Sequence, residues 1–161
     1  MLFRATEYFR KITDISPDFL VENDVKGIIL DIDNTLTTHD NPVPAEGVTE
    51  WLEQVRKKKI RLVIVSNNHP PRVMPFAESL GIKCICEGKK PLPTGFKQAL
   101  EWLGIPKKNV VAIGDQIFTD VLGANLSGIR ILYTAPIELE KTTFFKVKRT
   151  LEKPFLPKKF R

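Results

Sequence analysis

Five short apolar runs punctuate the chain: "GIILDID" from Gly27, "IRLVIVSNN" from Ile60, "KCIC" from Lys83, "VVAIGD" from Val110 and "IRILYT" from Ile129. They are continuous instead of alternating, as in strands covered on both faces. Helical spacing fills the gaps. Val48, Trp51, Leu52 and Val55 fall at i, i+3, i+4 and i+7, with Lys57 to Lys59 placing positive charge in the last turn. Phe96, Ala99, Leu100 and Leu103 repeat that pattern, with Thr94 as the expected N-cap and Gly104 as terminator. A shorter helix is expected over Pro71 to Leu80, stopped by Gly81, and another from about Thr119 to Leu126. Strand and helix therefore alternate. The pattern predicts an α/β fold, a Rossmann-like three-layer sandwich with a mostly parallel five-stranded sheet and right-handed crossovers.

In such a sheet, ligands bind beyond the carboxyl ends of the strands, near the switch in strand order. Three of the apolar runs end there in polar residues: Asp31 and Asp33 on the first, Ser66 and Asn67 on the second, Asp115 on the fourth. Bare, the three aspartates would repel one another. Together they offer the hard oxygen ligands that suit Mg²⁺, which binds through a few carboxylates and keeps several waters. One carboxylate oxygen can then act as nucleophile, a route to an aspartyl-phosphate. The aspartate two residues along can serve as general acid and then as base for water. Charge developing on transferring phosphoryl oxygens needs hydroxyl, amide and ammonium donors, for which Ser66, Asn67 and a lysine of "GKKP" are available. Asn34 and Thr35 are expected to hold the turn by local hydrogen bonds. Asp120 reads either as support for the acidic site or as a helix N-terminal charge.

"DIDNT" (Asp31 to Thr35), "VSNN" (Val65 to Asn68), "KKP" (Lys89 to Pro91) and "GDQIFTD" (Gly114 to Asp120) resemble the four ordered motifs of the haloacid dehalogenase-like phosphatases. "DIDNTL", "VSNN", "GKKPLP" and "GDQIFTDVLGAN" together resemble the YqeG group of type IIIA enzymes, related to phosphatidylglycerophosphate phosphatase, from about Ile15 to Phe155. The resemblance implies catalytic roles for Asp31 (nucleophile) and Asp33 (acid/base, and metal ligand through its carbonyl). It also implies phosphate contacts from Ser66 and a motif lysine, metal ligation by Asp31 and Asp115, and support from Asp120. Lys90, directly before the proline, matches the lysine position better than Lys89. The spans from Asp33 to Ser66 and from Lys90 to Asp115 leave no room for an inserted cap domain. By analogy, an open, capless site implies a large substrate such as a lipid head group at a membrane, a protein or a nucleic acid end; the resemblance to phosphatidylglycerophosphate phosphatase points to phosphatidylglycerophosphate or another large phosphorylated substrate.

Composition changes this picture in one place. The 161 residues carry a net +6, yet residues 141–161 hold eight basic residues against the single acid Glu152, a net +7 that leaves residues 1–140 at −1. The chain thus divides into a phosphatase domain over 1–140, with 1–24 as a lead-in, and a basic, aromatic extension over 141–161. Phe144, Phe145, Leu151, Phe155, Leu156 and Phe160 interleave with the basic residues. That mixture suits either docking on an anionic phospholipid surface or packing on the body or a second subunit. It leaves RNA open as a partner and gives no reason to expect DNA. A non-catalytic RNA- or ribosome-binding module, or a regulatory one, is the alternative to an enzyme. No GxxxxGK[ST] loop occurs, which argues against a nucleotide kinase. A receiver domain would store the phosphoryl group, whereas Asp33 favours its hydrolysis. The N-terminus lacks the apolar middle of a secretory signal, so a cytoplasmic protein is expected, peripheral on the membrane if the extension docks there. Cys84 and Cys86 share one strand face, and buried reduced thiols are expected there.

Overall fold

A computed structural model describes residues 1–161. Six strands form one sheet: β1 (Glu7–Phe9), β2 (Gly27–Leu30), β3 (Arg61–Val65), β4 (Lys83–Ile85), β5 (Val110–Gly114) and β6 (Arg130–Thr134). The order is β1-β6-β5-β2-β3-β4, and every pair is parallel. The expected five strands become six because the lead-in supplies β1, pairing Glu7 with Leu132 and Phe9 with Thr134. Its "EYF" is too short and too mixed to stand out as an apolar run; the open edge of β6 orders it. Within β2, Ile28 and Leu30 enter one core cluster while Ile29 enters the other. This two-sided burial is why the runs are continuous instead of alternating.

Helices α1 (Pro17–Glu22), α2 (Val48–Lys57) and α3 (Pro70–Leu80) contribute to the larger core. Helices α4 (Thr94–Leu103) and α5 (Leu122–Leu126) cover the other face. The three-layer sandwich stands as expected. Val48, Trp51, Leu52 and Val55 are the buried residues of α2, as their spacing requires. Gly81 and Gly104 end α3 and α4 at φ +65° and +63°, the left-handed stop that glycine accepts without strain. Thr94 is not the cap of α4 but its first residue. Pro93 is the N-cap, its backbone (φ −69°, ψ −10°) already helical and its φ fixed by the ring. Cys84 and Cys86 are free and half-buried rather than buried, because β4 is an edge strand; both do pack on the larger core.

The helix expected from Thr119 begins earlier and wider, as a π-turn over Ile117–Val121 that leads into α5. The Gln116 N–H donates to the Asp120 carboxylate at 3.1 Å, tying the turn to its own side chain. A Cβ on Gly114 would lie 2.4 Å from Cγ of Asp120, so the end of β5 must be glycine for Asp120 to fold in. Gly114→Ala is therefore expected to cost about 1–3 kcal/mol through overpacking, read as a lowered urea midpoint.

The C-terminal residues form helix α6 (Thr143–Glu152), which the sequence pattern did not predict. Past it, Phe155, Leu156 and Phe160 pack against the smaller core, while Phe144 and Leu151 remain exposed. No helix is long and apolar enough to cross a membrane.

Candidate active site

Chain order places the site. The path runs outward from β2 to β3 and β4, then returns to β5 on the other side of β2, so the switch in direction lies between β2 and β5. Asp31 follows β2 and Asp115 follows β5, across that crevice; the Asp31 N–H donates to the Ile113 carbonyl at 3.0 Å. Asp31, Asp115 and Asp120 each bring one carboxylate oxygen within 4.8 Å of the others.

Two cations counter this charge. The Lys90 ammonium donates to Asp31 Oδ1 at 2.8 Å and to Asp120 Oδ1 at 2.7 Å. Arg149 of α6 pairs with Asp115 Oδ2 and donates to the Asp115 carbonyl at 2.8 Å. One oxygen each of Asp31 and Asp115 is left without a cation. Between them sits the Thr35 hydroxyl, 3.5 Å from Asp31 Oδ2 and 3.4 Å from Asp115 Oδ1, too far for a strong bond to either. Two carboxylate oxygens without a cation, sharing one hydroxyl in a cluster whose ligand atoms lie within 4.8 Å of one another, fit a small hard cation, so the acidic cluster can hold a divalent metal.

Electrostatics agree. Burial and the neighbouring Asp120 push Asp31 up to about 6, against the pull of Lys90. Burial also raises Asp115 well above its ordinary range, with Arg149 only partly offsetting it. Lys90 is held firmly protonated by Asp120 and Asp31 despite burial, which acts the other way. A bound cation would relieve the carboxylates.

Asp33 lies beside the cluster but turns elsewhere. Arg72 of α3 donates to its Oδ1 at 2.9 Å, as does the Asp40 N–H at 2.9 Å. Although burial opposes it, these donors hold the Asp33 carboxyl below its usual range. Ser66 Oγ accepts from the Asn68 N–H at 3.1 Å and keeps its own proton to donate. Asn67 grips the Lys90 backbone with both ends of its amide, accepting from the N–H at 2.7 Å and donating to the carbonyl at 2.9 Å. Asn67, expected as a phosphate donor, thus uses its amide to orient Lys90. Lys90, not Lys89, reaches the cluster; Lys89 is exposed.

Asp31, Asp33, Ser66, Lys90 and Asp120 line an open cavity of about 270 Å³, walled on one side by Phe144, Phe145 and Lys148 of α6. The structure thus brings together every residue expected at the site, with Thr35 and Asp115 just beneath the cavity. It adds residues that local pattern could not supply. Arg149 also binds Glu140 at 2.8 Å and Glu152 at 3.2 Å. Glu152 Oε1 accepts from the Ile117 N–H at 2.9 Å, holding the start of the π-turn. The Asn34 N–H donates to the Thr37 carbonyl at 2.6 Å, a local turn bond as expected, while its side chain reaches far along the chain, donating to Glu140 at 3.0 Å and accepting from the Glu138 N–H at 3.1 Å. The one sequence signal was Glu152, a lone acid in a basic segment, three residues from an arginine.

A family model described as haloacid dehalogenase-like hydrolase matches residues 38–128. The chain is 37% identical over 154 residues to a protein of Bacillus subtilis (strain 168) named probable phosphatase YqeG, covering 96% of this chain and 90% of that one. Among solved structures, a 4-nitrophenylphosphatase from Thermotoga maritima shares the fold with a TM-score of 0.61 at 14% identity, over 77% of this chain and 90% of that one. An uncharacterized protein from Listeria monocytogenes serotype 4b gives 0.60 at 22% identity, over 73% and 85%. With its aspartates at the switch point of an all-parallel sheet, the chain belongs to the haloacid dehalogenase-like hydrolase family and is an enzyme of its phosphatase class.

Proposed function

We propose that this phosphatase is a Mg²⁺-dependent phosphomonoesterase that works through an aspartyl-phosphate on Asp31, and that its substrate is phosphatidylglycerophosphate. The observation that carries the reading is the pair of cation-free oxygens on Asp31 and Asp115, beside a cavity lined by Lys90 and Ser66. Asp31, Asp115 and the Asp33 carbonyl would hold the ion, which when bound supplies positive charge to the phosphate and the attacking carboxylate.

Ser66 and Lys90 donate to the phosphate oxygens and orient the group. An Asp31 oxygen attacks phosphorus, and the bond to the substrate alcohol breaks. Asp33, once turned from Arg72 toward the leaving oxygen, loses the ion pair that keeps it ionised, takes up a proton and delivers it to that oxygen. The Asp33 carboxylate then takes a proton from water as that water attacks the phosphorus, freeing Asp31 and inorganic phosphate. Asp120 and Asn67 keep Lys90 in place. Residues 1–140 form the catalytic body and 141–161 an extension that walls its cavity. The cytoplasmic side of a membrane is the location that fits this substrate.

The lipid is favoured because the cavity is open and one wall joins two phenylalanines to a lysine, so a head group can enter while acyl chains stay outside. Purified protein should be assayed with Mg²⁺ against sugar phosphates, nucleotides and phosphatidylglycerophosphate. Preference for the lipid is expected; equal rates on all three would refute the substrate. Chelation should abolish turnover. A hundredfold excess of Mg²⁺ over its Kd adds about 2.7 kcal/mol, or about 5–10 °C in melting temperature. No change in melting on adding Mg²⁺ would count against the metal.

A further inference from the structure

Helix α6 is built inside out. Phe145, Lys148, Arg149 and Glu152, at i, i+3, i+4 and i+7, face the body, where the last three bond Gln116, Asp115 and the Ile117 N–H. Phe144, Val147 and Leu151, at i, i+3 and i+7, form the outward stripe and are 72%, 55% and 58% exposed. A helix on a globular surface ordinarily does the reverse, turning its apolar stripe to the core and its charges to water. Three large apolar side chains in a row, on a ten-residue helix held by charged bonds, mark a face that meets something else.

We propose that this face docks on an anionic bilayer, beside the mouth of the active-site cavity. The charge around the stripe selects that occupant. Residues 141–161 contain one acid, Glu152, and it is buried at 1% exposure, while Lys141, Lys146, Lys153, Lys158 and Lys159 are all exposed; Arg161 pairs with Glu7 of the body at 3.5 Å. A nucleic acid would satisfy the lysines but offers nothing to Val147 and Leu151. A second copy would set two like-charged segments together, and the body, where acids and bases nearly cancel to −1, offers no net opposite charge to hold them. A bilayer interface takes both halves of the pattern: acyl boundary for the stripe, lipid phosphates for the lysines, each worth about fivefold in affinity near an anionic surface. Phe144 belongs to the stripe and to the cavity wall, so docking turns the cavity mouth toward the head groups. That consequence rests on the lipid-substrate reading; the docking itself does not.

The test uses the full chain and co-sedimentation with vesicles, of phosphatidylcholine alone and with about one third phosphatidylglycerol. Wild type should bind the anionic vesicles, release them at high salt and ignore the neutral ones. Val147→Ser/Leu151→Ser should bind about tenfold or more weakly while hydrolysing a soluble aryl phosphate as wild type does. If the double variant loses that turnover, each single substitution is read instead. Asp31→Asn should bind vesicles normally, so that a failed docking test and a failed phosphatase reading remain separate results. Equal binding to both vesicle types, equal binding by wild type and the serine variants, or no binding at low salt overturns the proposal. So does a wild-type dimer in sedimentation velocity that these substitutions dissociate, since the stripe would then be covered by a second copy.

Discussion

Asp31→Asn is expected to lower hydrolysis of an aryl phosphate by about ten-thousand-fold or more while leaving the protein folded. The amide cannot attack phosphorus, and it removes one of the two cation-free oxygens over Thr35. Folding should survive because Lys90 keeps Asp120 at 2.7 Å. Asp31 is also pushed up to about 6 by burial and by Asp120, so a neutral group there relieves a charge that the site tolerates poorly. Steady-state rates and melting curves on the same preparation decide the matter. A variant that turns over at the wild-type rate would remove Asp31 as nucleophile. Asp33→Asn should fail differently: it keeps the attacking carboxylate but lacks the proton donor and base. Rapid-quench labelling should find either trapped aspartyl-phosphate or very slow formation of it.

What sequence could and could not reveal follows from where each interaction's partner lies. Asp31, Ser66 and Asp115 were legible because each ends an apolar run, and a parallel sheet brings strand ends to one edge by topology alone. Lys90 was legible from its proline and its motif. The strand Glu7–Phe9 was not, since three residues with one inward aromatic carry no period; it forms because β6 offers an unpaired edge. Arg72 was missed because nothing in "HPPRVMP" ties an arginine to an aspartate 39 residues earlier. The largest gap is α6. Its apolar positions have helical spacing, yet the charge run around them read as a tail apart from the domain. The sequence shows charge but not which face carries the bonds, and here the bonded face is the charged one.

That gap sets the second large effect. Arg149→Ala is expected to destabilise the fold and disturb the metal position together, because one guanidinium serves three acids that are almost wholly buried. Side-chain exposures are 0% for Asp115, 6% for Glu140 and 1% for Glu152, against 11% for Arg149. An ion pair in such a place adds little beyond an apolar substitute, but removing one partner strands the other, at about 3–5 kcal/mol. For a chain of this size that lowers the melting temperature by about 6–20 °C. Arg149→Lys should fall between, since one ammonium cannot fork across Asp115, Glu140 and Glu152 as the planar guanidinium does. A purely structural role would leave the response to Mg²⁺ unchanged. Here Asp115 loses the cation on its Oδ2, so added Mg²⁺ should raise the melting temperature of Arg149→Ala by more than it raises that of wild type. The affinity for the ion, measured by calorimetry, should shift with it. A melting temperature within 2 °C of wild type, with an unaltered Mg²⁺ response, would mean that α6 is not held against Asp115 in solution, and the cavity wall it forms would fall with it.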